Sequence, residues 1–313
     1  MSSAIPEIDI VHVGLGPIGR QVLSYLADRS RFKSVGAVDP AFAGQELTDG
    51  LRVVVSLDEL PEWGTMAIHC AGSSLEKSAP TLVALMRAGH HVVSTCEELS
   101  NPWHTQPELA AQLDNVAREQ GVVLLGTGVN PGYAMDYLPV VLAASQRSVR
   151  AVDVHRVQDA ALRRLPLQRK VGVGLSVEEF EQRVRQGDIR HVGLPESARI
   201  VDRALDLGCT DFVETIDPVV GDDGMVLGID QLVIGKRGDS TLIRLHLQMA
   251  AGLPDPRDIV VLEGEPGLTS EVRGLHGDTA TAAVVVNSLG RAMAAPPGLR
   301  TVDEIPASPQ HRC

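Results

Sequence analysis

Residues 8–19 read Ile8-Asp9-Ile10-Val11-His12-Val13-Gly14-Leu15-Gly16-Pro17-Ile18-Gly19, and their pattern decides the fold of the first half of the chain. The first six form a short, mostly apolar, β-branched run bounded by glycine, which predicts a buried strand. Three glycines follow at once in G-x-G-x-x-G spacing, and from Pro17 a helical pattern is carried by Ile18, Val22, Tyr25 and Leu26. The spacing alone is common. Placed between a strand and a helix, it has the context in which such a turn holds a dinucleotide. Gly14 permits the tight turn, Gly16 lets a pyrophosphate approach the backbone, and Gly19 lets helix pack on strand. Gly14, Gly16, Pro17, Ile18 and Gly19 are therefore the expected cofactor contacts at the helix N-terminus.

Outward from that turn, strands alternate with helices. A second strand over residues 34–39 closes on Asp39, 20 residues after Gly19. An acid there accepts hydrogen bonds from ribose hydroxyls and repels a 2′-phosphate, which ranks NAD above NADP. The competing reading of Asp39 is a solvated turn residue ahead of Pro40. Further strands are expected over 51–55, 65–70, 91–96 and 122–126. Between them lie a helix carrying Leu82, Val83, Leu85 and Met86, closed at Gly89, and a second carrying Leu109, Leu113 and Val116. Thr105 and Glu108 have the spacing of a capping box opening that second helix. The alternation predicts a doubly wound parallel sheet, a Rossmann domain. Ligands of such sheets lie beyond the carboxyl ends of the strands. That rule selects Ala71-Gly72-Ser73, Cys96-Glu97-Glu98 and residues 127–132. Ala71 and Gly72 are expected beside the cofactor, and Asn130 either holds its amide or supports a turn.

After Pro139 the rhythm changes. Residues 150–157 alternate as a strand, with Val152, Val154 and Arg156 on one face and Ala151, Asp153 and His155 on the other. Ser176 and Glu179 form another capping-box pattern, before a helix that buries Phe180 and Val184. Four strand-like stretches then crowd together between residues 211 and 264, and residues 279–293 read as a final helix. The expectation is an α/β chain. A dinucleotide-binding domain over 1–139 is followed by a second, α+β domain over 140–303 on a mixed or antiparallel sheet, with a tail over 304–313. The last helix is placed to pack back on the first domain.

Composition bounds the function. The 313 residues are 44% hydrophobic but only 3% aromatic, so the core must be aliphatic, as suits a parallel sheet buried on both faces. A formal charge of −12 argues against a nucleic-acid partner, which needs surplus lysine and arginine. Cys70, Cys96, Cys209 and Cys313 have neither metal-ligand spacing nor the density of a disulfide scaffold. No metal is expected. The opening MSSAIPEIDI lacks a secretion signal's basic and apolar regions, and no apolar run approaches a membrane span. A soluble, cytoplasmic protein without a membrane partner is expected.

Glu97 and Glu98 follow an apolar strand at the expected nicotinamide end. A partly buried carboxylate there serves as general acid or base; the alternative is a pair of acids favoured by a helix N-terminus. The segments STCEEL, GTGVNPGYAMDYLP, RRLPLQRKVGVGLSVEEF, RHVGLPES and HGDTATAAVVVN resemble the 2,4-diaminopentanoate dehydrogenases and related native amine dehydrogenases, distant relatives of dihydrodipicolinate reductase. The resemblance runs from Gly14 to about Asp303 and is most specific over 126–139 and 277–287. It implies NAD- or NADP-dependent exchange of an amine for a ketone and ammonia, with a catalytic glutamate at Glu97 or Glu98. In that scheme hydride leaves the amine carbon, the glutamate deprotonates the water that adds to the iminium, and ammonia departs.

His191, in the HVGLPES segment, and Asn130 are expected to line the substrate site. Within the cluster Arg163, Arg164, Arg169 and Lys170, Arg164 is the candidate for a substrate carboxylate; a solvated basic face is the alternative. A homodimer is expected, through second-domain strands meeting across a two-fold axis. Rival readings are a cyclic imine or dihydrodipicolinate-type reductase, a semialdehyde dehydrogenase using Cys96 as nucleophile, and a non-catalytic dinucleotide sensor.

Overall fold

The computed structural model describes residues 7–47, 50–60, 64–162 and 165–308. The chain divides into two compact units, one of Met1–Tyr133 with His276–Cys313 and the other of Ala134–Leu275. The boundary thus falls six residues before Pro139, and the chain's end returns to the first unit.

The first unit begins with β1 (Ile8–Val13), α1 (Pro17–Ala27), β2 (Phe32–Val38), β3 (Val53–Val54) and β4 (Met66–His69). It continues with α2 (Leu75–Arg87), β5 (His91–Ser94), α3 (Pro107–Glu119) and β6 (Val123–Gly126). The second contains α4 (Tyr137–Ala143), β7 (Ser148–Asp159), α5 (Leu165–Lys170), α6 (Val177–Arg185), α7 (Leu194–Leu205) and the strands β8 (Asp211–Val220), β9 (Val226–Arg237), β10 (Ser240–Ala250), β11 (Arg257–Glu265) and β12 (Leu268–Val272). The return segment supplies α8 (Gly277–Ala294) and β13 (Gly298–Arg300).

The first sheet is parallel throughout, in the order β13-β6-β5-β4-β1-β2-β3. Its strand order reverses between β1 and β4, the topological switch where such sheets bind ligands. One core of this unit joins Val11, Val13, Ala67, Val92 and Leu124 of the strands to Leu82, Leu85, Met86 and Leu113 of α2 and α3. Helix α8 packs on α1, β5 and β6. Its Val285, Val286 and Leu289 are buried, and β13 adds a seventh strand beside β6.

The second sheet is mixed, in the order β12-β11-β7-β10-β9-β8, with β7 and β10 its parallel pair. Alternation sorts its two faces. Val152, Val154, Ile229, Val233, Leu245, Leu247, Val260 and Leu262 are buried. Asp153, Asp230, Arg244, His246 and Gln248 are exposed or half-buried. Arg156, on the inward face, is almost wholly buried and meets Asp258 of β11 at 2.5 Å.

One local expectation changes. Helix α3 starts at Pro107 with Gln106 as its N-cap, and no side chain caps it, so Thr105 and Glu108 form no capping box. Proline suits the first helical position because its missing N–H would be unpaired there anyway. Ser176 does cap α6, its Oγ accepting from the Glu179 N–H at 3.2 Å, with Phe180 fully buried and Val184 half-buried.

Candidate active site

The glycine turn sits at the switch point. Gly14 has φ +87°, and a Cβ there would lie 2.7 Å from the carbonyl of Cys70 at the end of β4. A Cβ on Gly19 would lie 2.0 Å from the Gly14 oxygen, so strand, turn and helix close up only with glycine at both positions. Gly16 differs. It is the N-cap residue of α1, and a Cβ there would meet nothing within 4 Å. The open space lies beside the first N–H groups of an 11-residue helix, where a pyrophosphate is held. Pro17 and Ile18 occupy the first turn.

Asp39 follows β2 directly. Its Oδ2 accepts from the Leu15 N–H at 2.7 Å and its Oδ1 from the Ala41 N–H at 2.9 Å, which fixes the carboxylate beside the glycine turn. Each oxygen keeps a lone pair for a ribose hydroxyl. A cavity of about 540 Å³ opens here, lined by Gly14, Asp39, Ser56, Asp58, Ala71 and Thr81 among others. Among the described residues its lining includes two carboxylates and no lysine or arginine. Ser56, Asp58 and Thr81 were missed in the sequence reading, because they lie in a 3₁₀ turn and on α2, away from any motif.

The loops after β4 and β5 are tied together. The Cys96 thiol donates to the Ser73 carbonyl at 3.2 Å, and the Glu98 N–H donates to the same oxygen at 3.3 Å. Glu98 Oε2 accepts from the Leu75 N–H at 2.8 Å, the first amide of α2, and from Gln106 Nε2 at 3.0 Å. Glu97 precedes it on the same 3₁₀ turn, residues 97–100, and its carbonyl accepts from Ser100 Oγ at 2.8 Å. That turn lies flat on the end of β6, since a Cβ at Gly126 would sit 2.6 Å from the Leu99 carbonyl carbon.

Cys96 is 1% exposed, and burial pushes its thiol up to about 12. The reactive form of cysteine is the thiolate. A buried thiol donating to a carbonyl is poorly placed to act as a nucleophile, which weighs against the Cys96-dependent reading. Beneath the loops His69 Nδ1 meets Ser94 Oγ at 2.8 Å, and burial lowers the His69 imidazole to about 4.

Asn130 lies after β6 in the same unit. Its two amide heteroatoms and the Thr127 hydroxyl are buried without a hydrogen-bond partner among the described residues. Buried amides of that kind are costly, and a ligand's carboxamide offers the complementary donor and acceptor. Asn287 of α8, by contrast, is tied to Arg29 Nη2 at 3.3 Å.

The structure therefore brings Gly14, Asp39 and Ala71 to one cavity and joins Ser73 and Leu75 to Glu98. Gly72 adopts φ +103° beside Ala71. His191 belongs to the second unit, just before α7. The buried side chain of Gln231 accepts from its N–H at 2.8 Å and donates to its carbonyl at 2.9 Å and to Glu214 at 2.7 Å. Gln231 was missed too; its signal was a polar residue on the inward face of β9, between Ile229 and Val233. Arg163 and Arg164 lie outside the described residues, and Arg169 and Lys170 close α5. Among the described residues no group of histidine, cysteine, aspartate and glutamate forms a metal site, and no helix is long and apolar enough to cross a membrane.

A glycine turn at the switch point of a parallel sheet, a fixed acid after β2 and a second domain on a mixed sheet define a two-domain chain of the Rossmann-like α/β class. The profile of the 2,4-diaminopentanoate dehydrogenase C-terminal domain matches residues 133–311, and the chain belongs to that family. It shares 25% identity with 2,4-diaminopentanoate dehydrogenase of Acetoanaerobium sticklandii, over 96% of this chain and 94% of that protein. Its fold is similar to that of an amine dehydrogenase from Mycobacterium smegmatis, with a TM-score of 0.85, 22% identity and 97% of each chain covered. A more distant similarity is to GenD2 of gentamicin A biosynthesis, solved in complex with NAD. There the TM-score is 0.57 and the identity 18%, over 86% of this chain and 74% of that one.

Proposed function

We propose that this chain is a nicotinamide-dinucleotide-dependent amine dehydrogenase that interconverts an amine with a ketone and ammonia. The carrying observation is the acid pair Glu97-Glu98, fixed beyond β5 in the unit that also carries the glycine turn and Asp39, in a chain of the 2,4-diaminopentanoate dehydrogenase family. The residues fit such a cofactor. Gly16 leaves the pyrophosphate cradle open, Asp39 offers acceptors to the ribose, and Asn130 has a buried amide suited to the carboxamide.

When bound, the nicotinamide would supply the acceptor for a hydride from the amine carbon. The substrate is then an iminium, to which water adds as one of the two glutamates takes its proton. The carboxyl returns that proton to nitrogen, the C–N bond breaks, and ketone, ammonia and one proton leave. Reductive amination runs the same steps backwards. With two carboxylates and no cation on the adenosine cavity, NAD is the favoured cofactor over NADP. His191, Asn130 and Arg164 are the proposed substrate contacts. A homodimer through the second unit and residence in the reducing cytoplasm complete the reading, the latter in keeping with the free thiols of Cys70, Cys96 and Cys209.

The test is oxidation of NADH and NADPH by the purified protein with ammonia and a panel of ketones, including 2-amino-4-oxopentanoate and simple aliphatic ketones. Ammonia-dependent turnover supports the assignment, and the better ketone shows whether a carboxylate is recognised. Tight NADH binding without turnover across the panel would instead indicate a dinucleotide sensor.

A further inference from the structure

Arg20 follows the glycine turn directly and closes the first turn of α1, its N–H donating to the Gly16 carbonyl at 3.0 Å. Its side chain is exposed, yet it is held by three partners. Nε donates to the Leu15 carbonyl at 3.0 Å, Nη2 donates to Gln45 Oε1 at 3.4 Å, and the guanidinium carbon lies 4.3 Å from the centre of the Phe42 ring. Phe42 is itself fixed. It packs on the small core of Leu15, Ala37 and Val53, and its N–H donates to the Asp39 carbonyl at 3.1 Å. Leu15 serves two opposite charges, since its carbonyl takes Arg20 and its N–H takes Asp39 Oδ2 at 2.7 Å. The arginine thus stands one residue from the acid that reads the ribose, yet the described residues lining the cavity beside Asp39 do not include it.

We infer that Arg20 sets how far the site tolerates a 2′-phosphate, and that its stack on Phe42 withholds it. The assignment rests on the dinucleotide-binding part of the proposed function and deepens it. A phosphate beside Asp39 meets like charge and needs a cation to offset it. Arg20 is such a cation, with a planar fork suited to phosphate. To serve one, its guanidinium must leave an aromatic face and a carbonyl. At an exposed site a stack of this kind biases the side chain about two- to fivefold toward the stacked position, and affinity for a ligand that needs it elsewhere falls by the same factor. Plain ribose hydroxyls ask nothing of Arg20. Discrimination against NADP then has two parts, the charge of Asp39 and an arginine kept from answering it.

The experiment titrates the full-length protein with ADP-ribose and with 2′-phospho-ADP-ribose by calorimetry, at low and at high salt, and reads the ratio of the two dissociation constants. Phe42→Leu keeps aliphatic packing on Leu15 and Val53 but removes the aromatic face. It should shift the ratio about two- to fivefold toward the phosphorylated ligand. Arg20→Lys, at an exposed position that tolerates change, keeps the charge without the planar group that stacks, and should shift the ratio the same way. Arg20→Ala in the parent protein should change the ratio by about twofold or less, whereas added to Phe42→Leu it should erase the gain. High salt should shrink the gain as well, because exposed charges are screened.

The proposal is overturned if neither Phe42→Leu nor Arg20→Lys moves the ratio, or if the gain survives the loss of Arg20. It is overturned equally if Arg20→Ala alone weakens the phosphorylated ligand by about tenfold, since the arginine would then serve the phosphate from its stacked position. A parent protein that binds neither nucleotide removes the dinucleotide reading itself, and the role given to Arg20 falls with it.

Discussion

Asp39 is held by two backbone amides, so its charge is fixed toward the adenosine cavity rather than averaged over rotamers. Asp58 lines the same cavity from a 3₁₀ turn and is exposed. The two carboxylates should differ in leverage. Exposed Asp58 repels phosphate charge weakly across water, whereas Asp39, held beside the glycine turn and less solvated, repels it several times more strongly. Asp39→Asn should therefore raise affinity for 2′-phospho-ADP-ribose relative to ADP-ribose by about 30-fold or more, and Asp58→Asn by about threefold. Calorimetric titration of both ligands checks this, and an unchanged ratio in Asp39→Asn would show that the cavity does not read the ribose. At Cys96 the expectation is the opposite of sensitivity. A thiol raised to about 12 should alkylate slowly, and Cys96→Ala should lose only severalfold in turnover, through the bond to Ser73. A loss of about 1,000-fold or more would restore the thiol-nucleophile mechanism.

Among the elements, the β7–β11 ladder carries the most exposed-to-damage contact, the buried pair Arg156–Asp258. Arg156 Nη2 also donates to the Leu275 carbonyl at 3.3 Å, at the last residue of the second unit. Removing one partner of such a pair strands a buried charge, so Asp258→Ala should cost about 3–5 kcal/mol in chemical unfolding. The double variant Arg156→Met/Asp258→Leu should recover most of it, and failure to do so would mean that the Leu275 bond matters more than the ion pair. The arginine was legible as an inward residue because its strand alternates; its partner was not, since register between distant strands leaves no local mark. The same divide separates other elements. The glycine turn, Asp39 and the Ser176 cap are short-range chemistry and read directly from sequence. The start of α3 did not, because Pro107 and the Thr105–Glu108 spacing compete for one position and proline's fixed φ prevails. Gln106 became an N-cap only through that outcome, so its bond to Glu98 could not be anticipated.

At the scale of the whole molecule, the first unit is closed by residues from the far end of the chain, and β13 is only three residues long. Three residues carry no periodicity; pairing with β6 alone makes them a strand, which is why the sequence shows the return helix and not the return strand. The sheet so completed buries His12 and His69, which hydrogen-bond to Ser34 and Ser94 and are both lowered by burial from 6.5 to about 4. The sign follows from which state binds more protons. Between pH 6.5 and 4 the unfolded chain takes protons that the folded sheet refuses, so stability is full above the unfolded value and falls as pH drops through this window. Between pH 6.5 and 5 the loss is on the order of 2 kcal/mol for each imidazole. A net charge of −12 pulls the other way, because acidification relieves self-repulsion, so the parent protein's profile alone cannot apportion the effect. Variants can. His12→Gln preserves an acceptor near Nε2 and His69→Asn one near Nδ1, and both are uncharged throughout. Trp103 packs on the first unit's core, so its fluorescence follows that unit during urea unfolding. Each variant should lose about 2 kcal/mol less than the parent between pH 7 and pH 5. A parallel decline in parent and variants would show that the imidazoles protonate in place, and that acid sensitivity in this protein arises outside the parallel sheet.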